Sequence, residues 1–320
     1  TWRDYNDNGI KELNEFEVAA FQDEAKYIRI FITTNEYVKG YNLQFSQALT
    51  LSPERIWYGR RGWRKVITAF SNQSVYRVDR KTGSADIDAR FNPLPVGFND
   101  SQLVALNASL RNTFYFQRTH PVFGADWTYQ DINGRTLLTN GYETRRNEFH
   151  MIHARLNFLR MFTLEAEAKQ GIKRSDADFA INRDFTIDYQ EAEPKLSFQP
   201  GAVFRITMLY GYKIKENRPE LGSEKAEQHK AGLEIKLNQV GKGSLTSDVN
   251  FIQISYNTDA NTAIAFEMLD ALLPGNNATW NVGYQRTLGN NLQLNLSYNG
   301  RKSETADAIH AGSVRMRAFS

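Results

Sequence analysis

The sequence contains no cysteine, and no run of apolar residues in it is long enough to form a transmembrane helix. Without cysteine the protein cannot form disulfides, thiolate metal sites or a thiol nucleophile. A dominant charge is lacking too, since 39 basic and 36 acidic residues are spread along the 320 positions. No basic block is typical of an arm that binds nucleic acid, so we exclude that class of partner. The chain begins at Thr1 without a signal peptide, and we expect a mature product or an excerpt of something longer.

What the sequence does contain is a repeated alternation of apolar and polar residues. The last hairpin shows it best, with Leu292, Leu294, Leu296 and Tyr298 on one face and Gln293, Asn295, Ser297 and Asn299 on the other. Nearly every strand repeats this pattern, and no second set of apolar elements is present to cover the apolar faces. A closed barrel with lipid outside and a polar lumen satisfies all of them. The sequence therefore predicts an all-β, antiparallel transmembrane barrel of the bacterial outer membrane.

The predicted strands alternate between short and long connectors. We expect strands near 40–51, 64–80, 102–118, 140–157, 161–171, 184–198, 202–215, 228–238, 245–256, 279–287, 292–301 and 309–319. The count is twelve, or fourteen if Tyr27–Ile32 and one partner join. Short connectors at 158–160, 199–201, 239–244 and 288–291 alternate with long ones at 172–183, 216–227, 257–278 and 302–308. In outer-membrane barrels short turns are periplasmic and long loops external, so we expect both termini in the periplasm. The stretch Lys81–Asp100 either hides a further short strand or folds against the barrel.

Two features bear on the lumen. The segment Ala263–Leu273 places Ile264, Met268, Leu269 and Leu272 on one helical face, which predicts a short helix that covers a barrel mouth or contacts a partner. Packing on its own loop is an equally open alternative. The inward strand faces carry charges of both signs, as in Glu165, Glu167, Lys169, Glu234, Lys236, Arg205, Arg315 and Arg317. This mixture indicates a lumen bridged by ion pairs rather than an ion pathway of one sign.

The sharpest local motif is the twelve-residue stretch from Asp4 to Glu15. Its spacing is that of a calcium loop, with the side chains of Asp4, Asn6, Asn8, Glu12 and Glu15 and the carbonyl of Ile10 as ligands. Gly9 stands at the position of the sharp turn, while Ile10 and Lys11 depart from the EF-hand pattern and are closer to thrombospondin type 3 loops. The alternative is an Asn/Gly turn that caps a helix over Glu15–Phe21 without a metal. We expect structural Ca²⁺ here, with no other cofactor.

Catalytic patterns are weak. The five histidines are His120, His150, His153, His229 and His310, and no loop combines one of them with an acidic cluster. His150 and His153 fall on opposite strand faces, and neither a nucleophile elbow nor a phosphate-binding glycine loop occurs. We therefore expect no enzyme and no catalytic residues.

Both ends of the chain resemble a known family. The segments that carry the resemblance are Asp4–Glu17, Tyr27–Arg29, Thr34–Lys39, Pro274–Asn277, Thr279–Asn281, Asn299–Glu304, Ile309–Gly312 and Arg317–Phe319. They resemble the C-terminal barrel region, with its preceding calcium loop, of very large and mostly uncharacterised outer-membrane proteins of Bacteroidota. The resemblance implies a fold, a membrane and a longer parent protein rather than an activity. The aromatic residue expected at the very C-terminus stands one position early, at Phe319.

These observations divide the chain into a calcium loop with a short helix at 1–26, acting as a periplasmic joint, and a transmembrane barrel at 27–320. We expect a non-catalytic barrel that anchors or scaffolds a larger outer-membrane complex for protein export, insertion or nutrient uptake. Its partners would be outer-membrane lipid and other outer-membrane or periplasmic subunits. A diffusion channel or substrate-specific porin is the alternative, and an outer-membrane hydrolase is the third class.

Overall fold

In the computed structural model, thirteen strands form one antiparallel sheet. The described residues are 1–30, 39–59, 61–87, 91–94, 102–138, 141–178, 183–239, 241–289 and 292–318. The strands are β1 (Tyr41–Leu51), β2 (Phe70–Thr82), β3 (Leu103–Phe116), β4 (Phe123–Leu138), β5 (Gly141–Phe158), β6 (Phe162–Ala177), β7 (Phe185–Phe198), β8 (Phe204–Asn217), β9 (Lys225–Gln239), β10 (Gly243–Tyr256), β11 (Gly275–Thr287), β12 (Leu292–Ser303) and β13 (Ile309–Ala318). Each strand pairs with the next in sequence. The predicted all-β antiparallel architecture and the range of twelve to fourteen strands are confirmed.

The strand that sequence reasoning missed is β4. Asp131 and Asn133 interrupt its apolar outward face, so the alternation is lost over much of its length. The expected strand at Tyr27–Ile32 is not formed over residues 27–30, and the rest of it lies outside the described residues. The expected strand at 64–80 begins only at Phe70, because two short helices, α1 (Glu54–Trp57) and α2 (Trp63–Ile67), precede it. Thr34–Val38 and Phe319, which contribute to the family resemblance, also lie outside the described residues.

The outward face of the sheet is apolar and exposed. Register places one continuous row of cross-strand neighbours over β6 to β11, namely Leu164, Leu196, Met208, Leu233, Val249 and Trp280. Met208 and Val249 in this row are 59% and 52% exposed. Water would penalise such a row, whereas lipid tails solvate it, and this is the outward face of an outer-membrane barrel.

Aromatic side chains form two bands on this outward face. One band lies beside the short turns and includes ring contacts of Phe70 with Phe116 at 5.1 Å and of Phe162 with Phe198 at 5.0 Å. The second band joins histidines to aromatic rings, at Trp127, Tyr129, His150, Tyr210, Tyr212, His229, Trp280, Tyr298 and His310. Along β5 the bands are separated by the eight residues from His150 to Phe158, about 27 Å of strand. After allowance for strand tilt, this matches an apolar belt about 25 Å tall between two girdles.

The inward face is polar, and its charges pair. Glu193 accepts from Lys195 at 2.8 Å and from Lys230, and Glu234 pairs with Lys236. Uncharged polar pairs continue the pattern, such as the Ser197 and Thr207 hydroxyls at 2.8 Å. The predicted lumen bridged by ion pairs is therefore confirmed.

The connectors define two ends of the barrel. The long-loop end carries the connectors 178–184, 218–224, 257–274 and 304–308, and the short-turn end carries 159–161, 199–203, 240–242 and 288–291. Two connectors break the expected rule, because 52–69 at the short-turn end is long and 139–140 at the long-loop end is short.

The expectation that both termini share one side is wrong. Since thirteen is odd, β1 begins at the long-loop end and β13 finishes at the short-turn end. The N-terminal segment, residues 1–30, therefore lies with the long loops and not with the short turns. If long loops are external, a periplasmic joint at residues 1–26 does not fit this geometry.

The connector between β2 and β3 folds against the outward face of the sheet. The Tyr76 hydroxyl donates to the Pro93 carbonyl at 2.6 Å, and Arg80 Nη2 donates to the Asn92 carbonyl at 2.9 Å. Val78 beneath them is only 1% exposed. One of the two expectations for Lys81–Asp100 is thus confirmed, since the described part of it packs on the barrel. No described helix is long and apolar enough to cross a membrane.

Candidate functional site: a plugged lumen

The connector 257–274 folds into the lumen from the long-loop end. It contains a third helix, α3 (Ala263–Met268), whose first turn is capped by the Thr262 hydroxyl accepting from the Ala265 N–H at 3.0 Å. The predicted helical face is confirmed, because Ile264, Met268, Leu269 and Leu272 are all buried. They pack on six inward-facing apolar residues of the wall, namely Phe149, Ile187, Tyr189, Ala226, Ile252 and Ile254. The connector packs on this apolar patch of an otherwise polar lumen wall, so α3 covers the barrel mouth.

Ion pairs fix the same connector to the wall. The two Asp270 oxygens accept from Lys215 Nζ at 2.6 Å and from Lys213 Nζ at 3.1 Å. Glu267 pairs with Lys173, and its carbonyl accepts from Lys215 at 2.9 Å. Burial raises the pKa of Asp270, but the charges of Lys215 and Lys213 outweigh it and hold that pKa below its usual range. Asp270 therefore stays ionised and supplies the counter-charge for two lysines of the lumen wall.

The N-terminal segment forms a compact unit around Glu15. Trp2 pairs with Phe16 as an isolated antiparallel bridge, and the Glu17 N–H donates to the Thr1 carbonyl at 2.9 Å. Glu15 is 1% exposed, and its carboxylate accepts from the Trp2 indole N–H at 2.8 Å and from two backbone N–H groups. The expected helix over Glu15–Phe21 is wrong: only two single-turn 3-10 helices form, at Leu13–Glu15 and Gln22–Glu24. Hydrogen bonds to the Glu15 carboxylate, rather than the backbone hydrogen bonds of a helix, hold this segment together.

This N-terminal unit is docked in the barrel mouth by two arginines. Arg301 of β12 donates to Asp23 Oδ1 at 2.5 Å and to Glu24 Oε1 at 2.7 Å, and its guanidinium lies 4.1 Å over the Phe21 ring. Arg183, from the connector after β6, donates to Glu17 Oε2 at 2.7 Å. The guanidinium on Asp23 holds the pKa of that carboxyl below its usual range, whereas burial raises the pKa of Glu17.

The two plugging segments also contact each other. Arg3 lies 4.7 Å over the ring of Phe266 in α3, and the Asn261 side chain donates to the Asp4 carbonyl at 3.2 Å. Burial and the adjacent Glu17 carboxylate raise the pKa of the Tyr5 phenol, which donates to Glu17 at 3.2 Å. The plug, as we call these two segments, is therefore one assembly made from residues far apart in sequence, and it lies in the lumen at the long-loop end.

The predicted calcium ligands lie within this plug. Asp4 accepts from the Asn8 N–H at 3.2 Å and from the Gly9 N–H at 2.7 Å, and Asn8 Oδ1 accepts from the Ile10 N–H at 2.6 Å. The Asn6 amide donates to Glu12 at 2.9 Å. These bonds wrap the loop as the motif predicts, and each carboxylate oxygen of Asp4 keeps a free lone pair. Over the described part of the chain, however, no three His, Cys, Asp or Glu side chains gather as a metal-binding group. To bind here, a cation would need the asparagine side-chain oxygens as ligands, and the Glu15 carboxylate would have to leave the N–H groups from which it now accepts hydrogen bonds.

The histidines take structural positions. His150 and His310 stack on aromatic rings of the outward face, and His229 contacts two tyrosine rings at a tilted angle. Tyr210 and Tyr298 share hydrogen bonds of 2.8 Å with His229 and His310. In the lumen His153 lies 3.0 Å from Asp126. The aromatic contacts could not be anticipated from spacing, because the partners come from neighbouring strands.

Comparisons with known proteins find only weak structural similarity. No family model and no curated protein matches the sequence. Among solved structures, CdiB from Acinetobacter baumannii aligns with a TM-score of 0.42 and 8% identity over 88% of this chain, which spans about half (54%) of that protein. The translocator domain of the autotransporter NalP from Neisseria meningitidis aligns with a TM-score of 0.28 and 11% identity, covering 89% of this chain and 90% of that domain. The functional interpretation therefore rests on the residues of this chain.

Proposed function

We propose that the protein is a non-catalytic barrel of the bacterial outer membrane that anchors or scaffolds a larger outer-membrane complex, serving protein export, insertion or nutrient uptake. The observation that carries this proposal is the plug. Two segments of the chain occupy the long-loop end of the lumen with an apolar core and paired charges, and this arrangement favours a barrel that does not conduct over an open pore. A plugged barrel in lipid is suited to holding partners in place.

The alternative function is a diffusion channel or porin, and the lumen charges argue against it. A conducting lumen needs polar groups that remain free to solvate passing ions. Here the lysines at 173, 213 and 215 are engaged by Glu267 and Asp270 of the plug. A hydrolase, the third class, would need a nucleophile or activated water beside a base. The lumen pair His153 and Asp126 offers only a base and its orienting carboxylate.

The scaffold proposal predicts an assembly. When native outer membranes are extracted with a mild detergent, the protein should migrate on a native gel well above the position of its own barrel. Boiling in SDS should then shift the chain itself to slower migration, as unfolding of a barrel does. The control is the purified chain refolded alone in the same detergent, which should migrate as the isolated barrel. Identical migration of the native and the refolded samples would contradict an anchoring role.

We further propose that the loop Asp4–Glu15 binds Ca²⁺ as a structural joint. The supporting observations are the oxygen spacing and the wrapped backbone of the loop. Neutral Asn6 and Asn8 in place of carboxylates place the expected Kd at about 10⁻⁴–10⁻³ M, the range of extracellular modules. The ion would tie the loop to the plug, where the Asp4 carbonyl already contacts Asn261.

Calorimetric titration of the purified chain with calcium chloride tests this site. The double variant Asp4→Ala with Glu15→Ala should bind no Ca²⁺ and should keep its barrel, because the ladder hydrogen bonds lie elsewhere. Glu15 is buried, so Glu12→Gln, at a half-buried ligand position, separates loss of the metal from loss of packing. Asp7→Asn is the matched control, since it removes a loop charge that is not a ligand. Equal Ca²⁺ binding by the chain and by Asp4→Ala with Glu15→Ala would exclude the site.

A further inference from the structure

The sheet has a seam between its first and last strands. Over the described residues, β1 pairs only with β2, and β13 pairs only with β12. Among the described residues, the outer edges of β1 from Asn42 onward and of β13 therefore present rows of backbone N–H and C=O groups without a ladder partner. In the hydrocarbon of a membrane each such group costs several kcal/mol, because no water is present to satisfy it.

Side-chain exposure marks the same edge. Val314 of β13 is 72% exposed, whereas its cross-strand neighbour Leu296 on β12 is 37% exposed. Met316 on the same edge is 60% exposed. These residues lack the lateral neighbour that covers one flank of every interior strand. The outward face of a strand that filled the seam would therefore be apolar.

Strand direction determines what can fill the seam. Both β1 and β13 run from the long-loop end to the short-turn end, because the chain reverses direction twelve times between the first and the last of the thirteen strands. In a second copy with the same membrane orientation, β1 and β13 also run from the long-loop end to the short-turn end. Rotation about the membrane normal does not reverse them, so either strand would lie parallel to the edges of the first copy. An antiparallel ladder on both edges requires a strand that runs from the short-turn end to the long-loop end. One such strand satisfies both edges at once.

Charge specifies the inward side of that strand. Arg315 and Arg317 point into the lumen, across from the neutral Asn295 and Gln293 of β12. Neither arginine has an ion-pair partner among the described residues. A strand on the open side would lie directly beside them, so carboxylates facing the lumen at these levels would complete the pairing found elsewhere in the barrel.

We infer that the seam between β1 and β13 is a docking site for one β-strand of a partner polypeptide, which runs from the short-turn end to the long-loop end with apolar residues toward lipid and acidic residues facing Arg315 and Arg317. Strand addition to an exposed edge supplies main-chain hydrogen bonds for affinity and alternate side chains for specificity. The inference rests on the proposed function, since it names the surface through which the anchor holds its partner.

The test uses a synthetic strand and the purified chain in detergent. The probe copies residues 292–303, a sequence that already pairs antiparallel with β13, and carries Gln293→Glu, Asn295→Glu and Leu296→Cys. The acceptor is the chain with Val314→Cys, in a background that has no other cysteine. We expect a disulfide between probe and chain to form at least about tenfold faster than with a control probe that carries Gln293→Lys and Asn295→Lys. Equal rates for the two probes, or a disulfide-linked dimer of the chain as main product, would overturn the inference.

A second set of variants tests direct closure of the barrel. Val314→Cys is combined in turn with Leu43→Cys, Phe45→Cys, Leu49→Cys and Leu51→Cys on the outward face of β1. No intrachain disulfide is expected in any of them, and one in any pair would overturn the inference. Ser297→Cys with Ser313→Cys is the positive control, because these hydroxyls already lie 2.8 Å apart. If the probe fails to bind while the native protein migrates as a large assembly, the seam is rejected and the anchoring function stands. If the probe binds while the native protein migrates as an isolated barrel, the anchoring function is rejected and the seam stands.

Discussion

Replacing residues 259–273 with a short Gly/Ser linker should convert a silent barrel into a conducting one. The replacement removes the apolar face of α3 together with Glu267 and Asp270, which fill the lumen and neutralise its wall. Lys173, Lys213 and Lys215 then face water without their counter-charges from the connector. We therefore expect steady single-channel currents in planar bilayers, with a preference for anions over cations.

The matched control is the connector 52–69, which is as long as 257–274 but lies at the other end of the barrel. Shortening it to the same linker leaves the plug in place, so the bilayer should stay silent. Heat-modifiable migration on gels shows whether each variant has folded. A folded variant without residues 259–273 that conducts no ions would mean that the plug does not close the lumen.

Arg301→Ala should release the N-terminal segment without unfolding the barrel. The Arg301 side chain is 12% exposed and holds both Asp23 and Glu24 while covering Phe21. Removing it leaves Asp23 without its cation and Glu24 with only the more distant Arg3 at 3.8 Å, a change that costs about 2 kcal/mol and opens the segment roughly 30-fold more often. Tryptic cleavage within residues 1–30 should accelerate accordingly, and the β-sheet signal in circular dichroism should persist.

The comparison variant for this experiment is Arg218→Ala. Arg218 pairs with Asp188 at 3.3 Å, but both side chains are exposed, and such pairs contribute about 0–1 kcal/mol. Cleavage of the N-terminal segment should therefore stay at the rate of the unaltered chain. Equal acceleration by Arg218→Ala and Arg301→Ala would show that the effect is not due to docking by Arg301.

The contribution of Asp23 depends on pH with a known sign. Hydrogen bonding to Arg301 lowers the pKa of Asp23 below its ordinary value, despite opposing desolvation. Its stabilisation is therefore complete above the ordinary pKa of about 4 and is lost as the pH falls through the lowered value. With pepsin, a protease that is active in acid, the difference in cleavage rate between the unaltered chain and Arg301→Ala should be constant above the ordinary pKa of Asp23 and should shrink in stronger acid. This difference isolates Asp23 from Glu17, whose pKa is shifted the opposite way.

Local pattern was enough to predict the features that depend on neighbours in sequence. The apolar face of α3 could be read from its helical spacing, and the lipid-facing rows from the period of two. Glu15 was recognised as important, but as a metal ligand rather than as the buried acceptor for Trp2, because that contact depends on how the segment folds back. The docking of Asp23 by Arg301 joins residues 278 positions apart, a contact that no local pattern contains.

The prediction of the side of the membrane on which the N-terminal segment lies was wrong for a related reason. Orientation along a barrel alternates with every strand, so one missed strand reverses the position of everything before it. The sequence pattern does not reveal strand β4 because Asp131 and Asn133 interrupt its outward face. With β4 included, residues 1–30 move from the short turns to the long loops, where they meet α3 to form the plug.

Planar-bilayer recording of the intact, refolded chain is the sharpest test of whether the plug blocks the lumen. We expect a membrane that incorporates the barrel but carries no steady current, because α3 and the N-terminal segment occupy the lumen and pair its charges. Incorporation is verified in the same vesicles by heat-modifiable migration of the chain. Steady open-channel currents from the intact chain would show that the plug leaves the lumen open and that the protein is a pore.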